Sequence, residues 1–182
     1  MRNIAIFVAG VMAFGAVLAY AETKADDVVG VWYTDGKSSK IEIYKEGDKY
    51  NGKMIWLKDP NYGSDDKEAG KPQRDRKNPE PARQNDPLVG LNLLKDFTFD
   101  GTAAWSSGTI YDPESGKTYK CTMKLTDAKT LDVRGYIGVP AFGRSTTWTR
   151  VEDSAEKAAA PSGTNSDAPA TATAEKKEEK KN

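Results

Sequence analysis

Histidine is absent from the 182-residue chain, and cysteine occurs once, as Cys121. Without imidazole there is no Ser-His-Asp or Cys-His catalysis and no histidine metal site. With a single thiol there is no internal disulfide, so stability has to come from a core. Charge of one sign is not in excess either: Lys plus Arg and Asp plus Glu number 27 each. So balanced a chain carries no electrostatic footprint for nucleic acid or for an anionic membrane surface. Long apolar runs are missing except at the very start.

That start is informative. Met1-Arg-Asn precedes an apolar run over residues 4–20, which closes on Ala19-Tyr20-Ala21 before Glu22-Thr-Lys. A basic beginning, a hydrophobic middle and an Ala-x-Ala end describe a secretory signal peptide over residues 1–21, cut after Ala21. An uncleaved anchor is the other reading, but the run is short for a span. The expected location is the bacterial periplasm, with no transmembrane span after cleavage. A lone cysteine in an oxidising compartment reads as a buried thiol behaving as a small hydrophobe.

The clearest structural signal lies in residues 108–125. From 118 to 125, Tyr119, Cys121, Met123 and Leu125 alternate without a miss against Thr118, Lys120, Thr122 and Lys124. A period of two is a strand with one dry and one wet face. Asp112-Pro-Glu-Ser-Gly116 just before it has the residues of a tight turn, so the region is an antiparallel hairpin.

The remaining chain repeats this pattern. Strands are expected at 28–34, 40–46, 49–57, within 88–99, at 103–112, 118–125, 130–137 and 144–151, most of them separated by Gly- or Asp-containing turns. In the third, Tyr50, Gly52, Met54 and Trp56 fall on one face. Eight short strands in sequence predict an all-β fold: a single antiparallel up-and-down barrel, whose closure removes free edges. Residues 22–152 form this domain. Residues 58–87 interrupt it, rich in charge and in proline (Pro60, Pro72, Pro79, Pro81, Pro87) and poor in apolar residues. This insertion is either a solvated loop or a flap over an open barrel end. Residues 153–182 pass from Ala/Pro/Thr to Lys/Glu and read as a disordered tail.

Gly30-x-Trp32 opens the first strand, and Trp148 and Arg150 share a face of the last. In a closed barrel these strands are neighbours, so Arg150 is expected over the Trp32 ring. Gly30, Trp32, Trp148 and Arg150 are therefore candidate closure residues. This pattern resembles lipocalins and calycins. A longer set of motifs occurs in order: Asn78-Pro-Glu-Pro81, Pro87-Leu-Val-Gly-Leu91, Trp105 with Gly108-Thr-Ile-Tyr-Asp-Pro and Gly116-Lys-Thr-Tyr119, Leu131-Asp-Val-Arg-Gly-Tyr136, and Gly143-Arg through Arg150. Together they resemble the bacterial domain of unknown function 2147 family. The resemblance implies a secreted lipocalin-like barrel and supplies no activity. Two departures stand out. Trp105-Ser-Ser-Gly108 lacks the second glycine usual before the final one. Asn85-Asp86-Pro87 lacks a basic residue before the proline.

Candidate ligand contacts are Tyr111, Arg134, Tyr136 and Phe142. If their face lines a cavity, the tyrosines hold a polar head group and Arg134 binds an anion in bidentate fashion. By alternation the simpler reading puts Arg134 outside with Asp132 and makes Tyr136 a wet-side aromatic. Phe142, in Val139-Pro-Ala-Phe142, is a lip at the barrel mouth or a plug within it. Three functions remain open. The first is non-catalytic binding of a small apolar or amphipathic ligand. The second is an envelope interaction protein whose barrel is filled by its own side chains, with an envelope protein as partner. The third and weakest is a hydrolase using the carboxylates of the insertion, Asp59, Asp65, Asp66, Glu68 and Asp75. Neither a cofactor nor a metal site is expected, because the carboxylate spacing matches no calcium loop.

Overall fold

The computed structural model describes residues 22–152; the expected signal peptide and C-terminal tail lie outside them. Eight antiparallel strands form one closed up-and-down barrel in chain order. They are β1 (Gly30–Tyr33), β2 (Ser39–Glu46), β3 (Lys49–Leu57), β4 (Asn92–Phe99), β5 (Ala104–Asp112), β6 (Lys117–Asp127), β7 (Thr130–Tyr136) and β8 (Arg144–Arg150). The last strand returns to the first, with Trp32 opposite Arg150 and Tyr33 opposite Thr149. Residue 28, expected inside the first strand, instead ends a 3-10 turn, Ala25–Val28, that crosses the barrel end. Among the described residues, no helix is long and apolar enough to cross a membrane.

The alternation read from the sequence sets the interior. Ile41 and Ile43 of β2, Cys121 and Met123 of β6, and Leu131 and Val133 of β7 are all buried. Neighbouring β6 and β7 place these pairs in register, Cys121 with Gly135 and Met123 with Val133. Trp56 departs from its expected face. Ile41 opposes Met54 while Lys40 opposes Trp56, so Ile55 is the extra residue of a bulge. A bulge puts two residues of one strand against one of the other, and here it turns Trp56 outward. Trp56 meets Tyr33 edge-on at 6.2 Å, with the Lys40 ammonium 5.2 Å from its ring.

One half of the barrel is packed solid. Trp32, Trp105, Phe97, Ile41, Ile43 and Met123 fill it. The Ala25–Val28 turn seals that end with polar contacts. The Trp32 indole donates to the Val28 carbonyl at 2.8 Å and the Trp105 indole to the Ala25 carbonyl at 3.0 Å. Asp26 accepts from the Tyr50 hydroxyl at 2.5 Å and from Lys45 at 2.8 Å. Both indoles at this end thus find an acceptor, which keeps their burial favourable.

Candidate functional site

The other half of the barrel is open. Its mouth is ringed by the chain between β1 and β2, the insertion between β3 and β4, the β5–β6 turn and the β7–β8 loop. Inside lies a cavity of about 1250 Å³. Met54, Leu57, Leu93, Ile110, Val133 and Trp148 supply its apolar wall. Tyr62, Tyr111, Tyr119 and Tyr136 add aromatic surface towards the mouth, with Lys77, Arg144, Asp35, Asp59 and Glu114 at the rim. The Lys77 and Arg144 side chains have no ion-pair partner among the described residues. The barrel is therefore filled at one end only, which weighs against the alternative of an interior filled throughout by its own side chains.

The insertion is solvent-exposed over most of its length, yet it is hydrogen-bonded into a built flap. It has few apolar groups, so charge and hydrogen bonds organise it. The Arg76 guanidinium stacks on the Tyr62 ring, 3.4 Å from its centroid. The same group forks onto Asp66 at 2.8 and 2.9 Å and reaches Glu68 at 2.6 Å. Arg74 meets both Glu68 oxygens at 2.6 Å and Asn85 at 2.7 Å. Planar guanidinium forks suit this bidentate pairing. The hydrogen bonds from Arg76 to Asp66, and from Arg74 and Arg76 to Glu68, hold each carboxyl down at about 2. Main-chain pairing of Asn61 with Pro72 and of Arg74 with Pro87 closes the flap on itself.

Two contacts fasten the flap to the barrel. The Tyr111 hydroxyl donates to Asp75 at 2.7 Å, and Asn78 donates to the other Asp75 oxygen at the same distance. Asp75 is fully buried. Burial, then the neighbouring Asp75, pushes the Tyr111 phenol above its usual range. The second contact is steric: a Cβ on Gly116, whose φ is +71°, would sit 2.0 Å from the Lys77 carbonyl. Only glycine lets the β5–β6 turn lie this close to the flap.

The candidate ligand residues separate in the structure. Tyr111 and Tyr136 line the cavity, and Phe142 stands at its lip, 85% exposed. Arg134 does not line it. Val133 points inward, so Arg134 points out, where it donates to the Pro140 carbonyl at 2.7 Å, to Ser145 at 2.8 Å and to the Ala141 carbonyl at 3.3 Å. With its guanidinium committed to the β7–β8 loop, it is a brace rather than an anion contact. Phe142 is not a plug, because that brace holds the loop outward.

The closure residues also divide. The Arg150 guanidinium lies 4.1 Å from the Trp32 ring centroid. It donates to the carbonyls of Ala128 (2.8 Å), Val29 (2.9 Å) and Asp27. Burial lowers its pKa from the ordinary arginine value. Gly30 makes room, since a Cβ there would sit 2.8 Å from the guanidinium. Trp148, grouped with these residues by sequence, instead floors the cavity opposite Leu131.

Flap residues Gln73, Arg74, Arg76 and Lys77, and Leu88 just after the flap, also line the cavity and were missed from the sequence. Proline spacing marked the insertion but not its inward face. Among the described residues no cluster of acidic or cysteine side chains suits a metal ion. Cys121 is fully buried, and burial pushes its thiol up to about 12, so it is not a thiolate nucleophile at neutral pH.

A family model described as an uncharacterized protein conserved in bacteria (DUF2147) matches residues 30–150. No curated protein matches the chain. Among solved structures, a protein from the human pathogen Helicobacter pylori, described as belonging to the lipocalin family, is similar. It superposes with a TM-score of 0.59 at 26% identity, covering 69% of this chain and 83% of that one.

Proposed function

The chain belongs to the DUF2147 family, and from that premise we propose that it is a non-catalytic binding protein for a small amphipathic molecule, exported to the periplasm. The observation that carries this reading is the half-open barrel. A cavity of about 1250 Å³ with an apolar wall and a polar, aromatic mouth suits a ligand with a tail and a head. The tail lies against Leu93, Val133 and Trp148; the head stays among Tyr111, Tyr136 and the charged rim. The similarity to a lipocalin-family protein supports the same reading by analogy of fold. Asp66 and Glu68 are engaged by Arg74 and Arg76, which hold their pKa down, and this weighs against these two as a hydrolase's general acid or base. Export rests on the leader read in residues 1–21.

The test is native mass spectrometry of the protein purified from its own cells, followed by extraction of what it carries. An intact mass beginning at Glu22 and a small molecule at fixed stoichiometry are expected. A Val133→Trp variant, which places an indole on the apolar wall where the tail lies, should carry less of the ligand, its folding checked by circular dichroism. A bare wild-type mass, with no thermal shift across fatty acids and lysophospholipids, would sink the proposal.

A further inference from the structure

The loop between β7 and β8 breaks the usual logic of a surface. Ile137, Val139 and Phe142 are 73%, 53% and 85% exposed, three large apolar side chains within six residues. Single exposed hydrophobes are ordinary; a cluster at one tip marks a contact surface. Nor is the loop free to fold them away. Arg134 braces the Pro140 and Ala141 carbonyls, and Pro140–Phe142 closes as a 3-10 turn through main-chain bonds from Phe142 to Val139 and from Gly143 to Pro140. The apolar tip is held out by design of the backbone.

Its position says what it contacts. Ile137 and Phe142 are at once the most exposed large apolar residues among the described ones and members of the cavity lining. Apolar surface therefore runs from the loop tip over the lip and down the wall through Val133 to Trp148. A protein seated on this tip would stopper the mouth. A hydrocarbon layer receiving the tip would extend the cavity wall into itself.

We propose that the β7–β8 loop is a lipid-docking tip that dips Ile137, Val139 and Phe142 into the interface of a bilayer. Docking stands on the loop alone. The use of docking, transfer of an amphiphile between bilayer and cavity, rests on the binding function proposed above. Three exposed apolar side chains at the tip make a contact by insertion, which salt leaves standing even if it screens the cationic Arg144 beside the loop.

The test is flotation of the exported protein with vesicles of equal parts phosphatidylethanolamine and phosphatidylglycerol, at low and high salt, after its intact mass is recorded. Wild type and an Ile137→Ser/Phe142→Ser variant are compared in the same form. Both side chains are exposed, so the variant keeps its circular dichroism and melting temperature. Wild type should bind at both salt concentrations, and the variant should bind about tenfold or more weakly. Equal binding by both proteins, no binding by wild type, or binding abolished by salt would each overturn the proposal. The Val133→Trp protein, altered on the cavity wall and not at the tip, separates the two claims. It should dock as wild type does while carrying less ligand, so a failure of ligand binding leaves docking standing, and the reverse.

Discussion

The hydroxyl of Tyr111 on β5 donates to the fully buried carboxylate of Asp75 in the flap, 2.7 Å away and 36 residues earlier in the chain. This bond joins the charged flap to the barrel at the edge of the cavity. Tyr111→Phe removes the donor and leaves one Asp75 oxygen buried without its partner. The expected cost is about 1–3 kcal/mol. Amide exchange should rise in residues 72–80 and remain slow in β6 and β7. Equal loss of protection in flap and barrel would show that the two open as one unit and that Tyr111 is no local latch.

The flap should also be acid-sensitive. The arginine contacts hold Asp66 and Glu68 at about 2, below the ordinary carboxylate values. A depressed folded pKa stabilises above the unfolded value, near pH 4, and that stabilisation is lost as pH falls through about 2. Between those limits the flap should loosen while the barrel, whose interior is apolar, persists. Amide exchange of residues 62–76, corrected for intrinsic rates, measures this. Uniform protection of the flap from pH 6 to pH 2 would contradict it.

Gly30 decides whether the closed end holds together. Its φ of +134° is rare for residues with a Cβ, and that atom would meet the guanidinium of Arg150 at 2.8 Å. Gly30→Ala should displace Arg150 from Trp32 and from three backbone carbonyls. The expected loss is about 2–4 kcal/mol in urea denaturation. Ligand affinity should not change, because the cavity opens at the other end. A stability unchanged within error would mean that the Arg150 contacts contribute little.

Ser107 carries a φ of +64° in the bulged stretch where Trp105 opposes Met123 and Gly108 opposes Cys121. This is the residue before Gly108, in the stretch where the family pattern usually holds a second glycine. Left-handed backbone is costly with a Cβ and free of that cost without one, so Ser107→Gly should stabilise by about 0.5–1 kcal/mol. Thermal unfolding reads the sign directly, and a lower melting temperature would reject the strain argument.

Strand order, the turns and most of the interior were legible residue by residue. Alternation at Ile41 and Ile43 or at Cys121 and Met123 needs only a backbone that flips side chains every second residue, and Asp112-Pro-Glu-Ser-Gly116 carries its own turn geometry. Arg150 over Trp32 followed once closure made the first and last strands neighbours. Local chemistry determined that much. Three things it left to the tertiary structure. Trp56 faces outward because a bulge at Ile55 shifts the register, and a bulge depends on the partner strand as much as on its own residues. Arg134 lies outside as alternation has it, but its role as a brace needs Pro140 and Ala141, which present carbonyls to it only after β7 and β8 pair. The flap is ordered, and the cavity open, for reasons no window of sequence contains. One needs Asp75 to reach Tyr111 across 36 residues. The other is the space left when side chains from all eight strands have filled one end of the barrel and stopped.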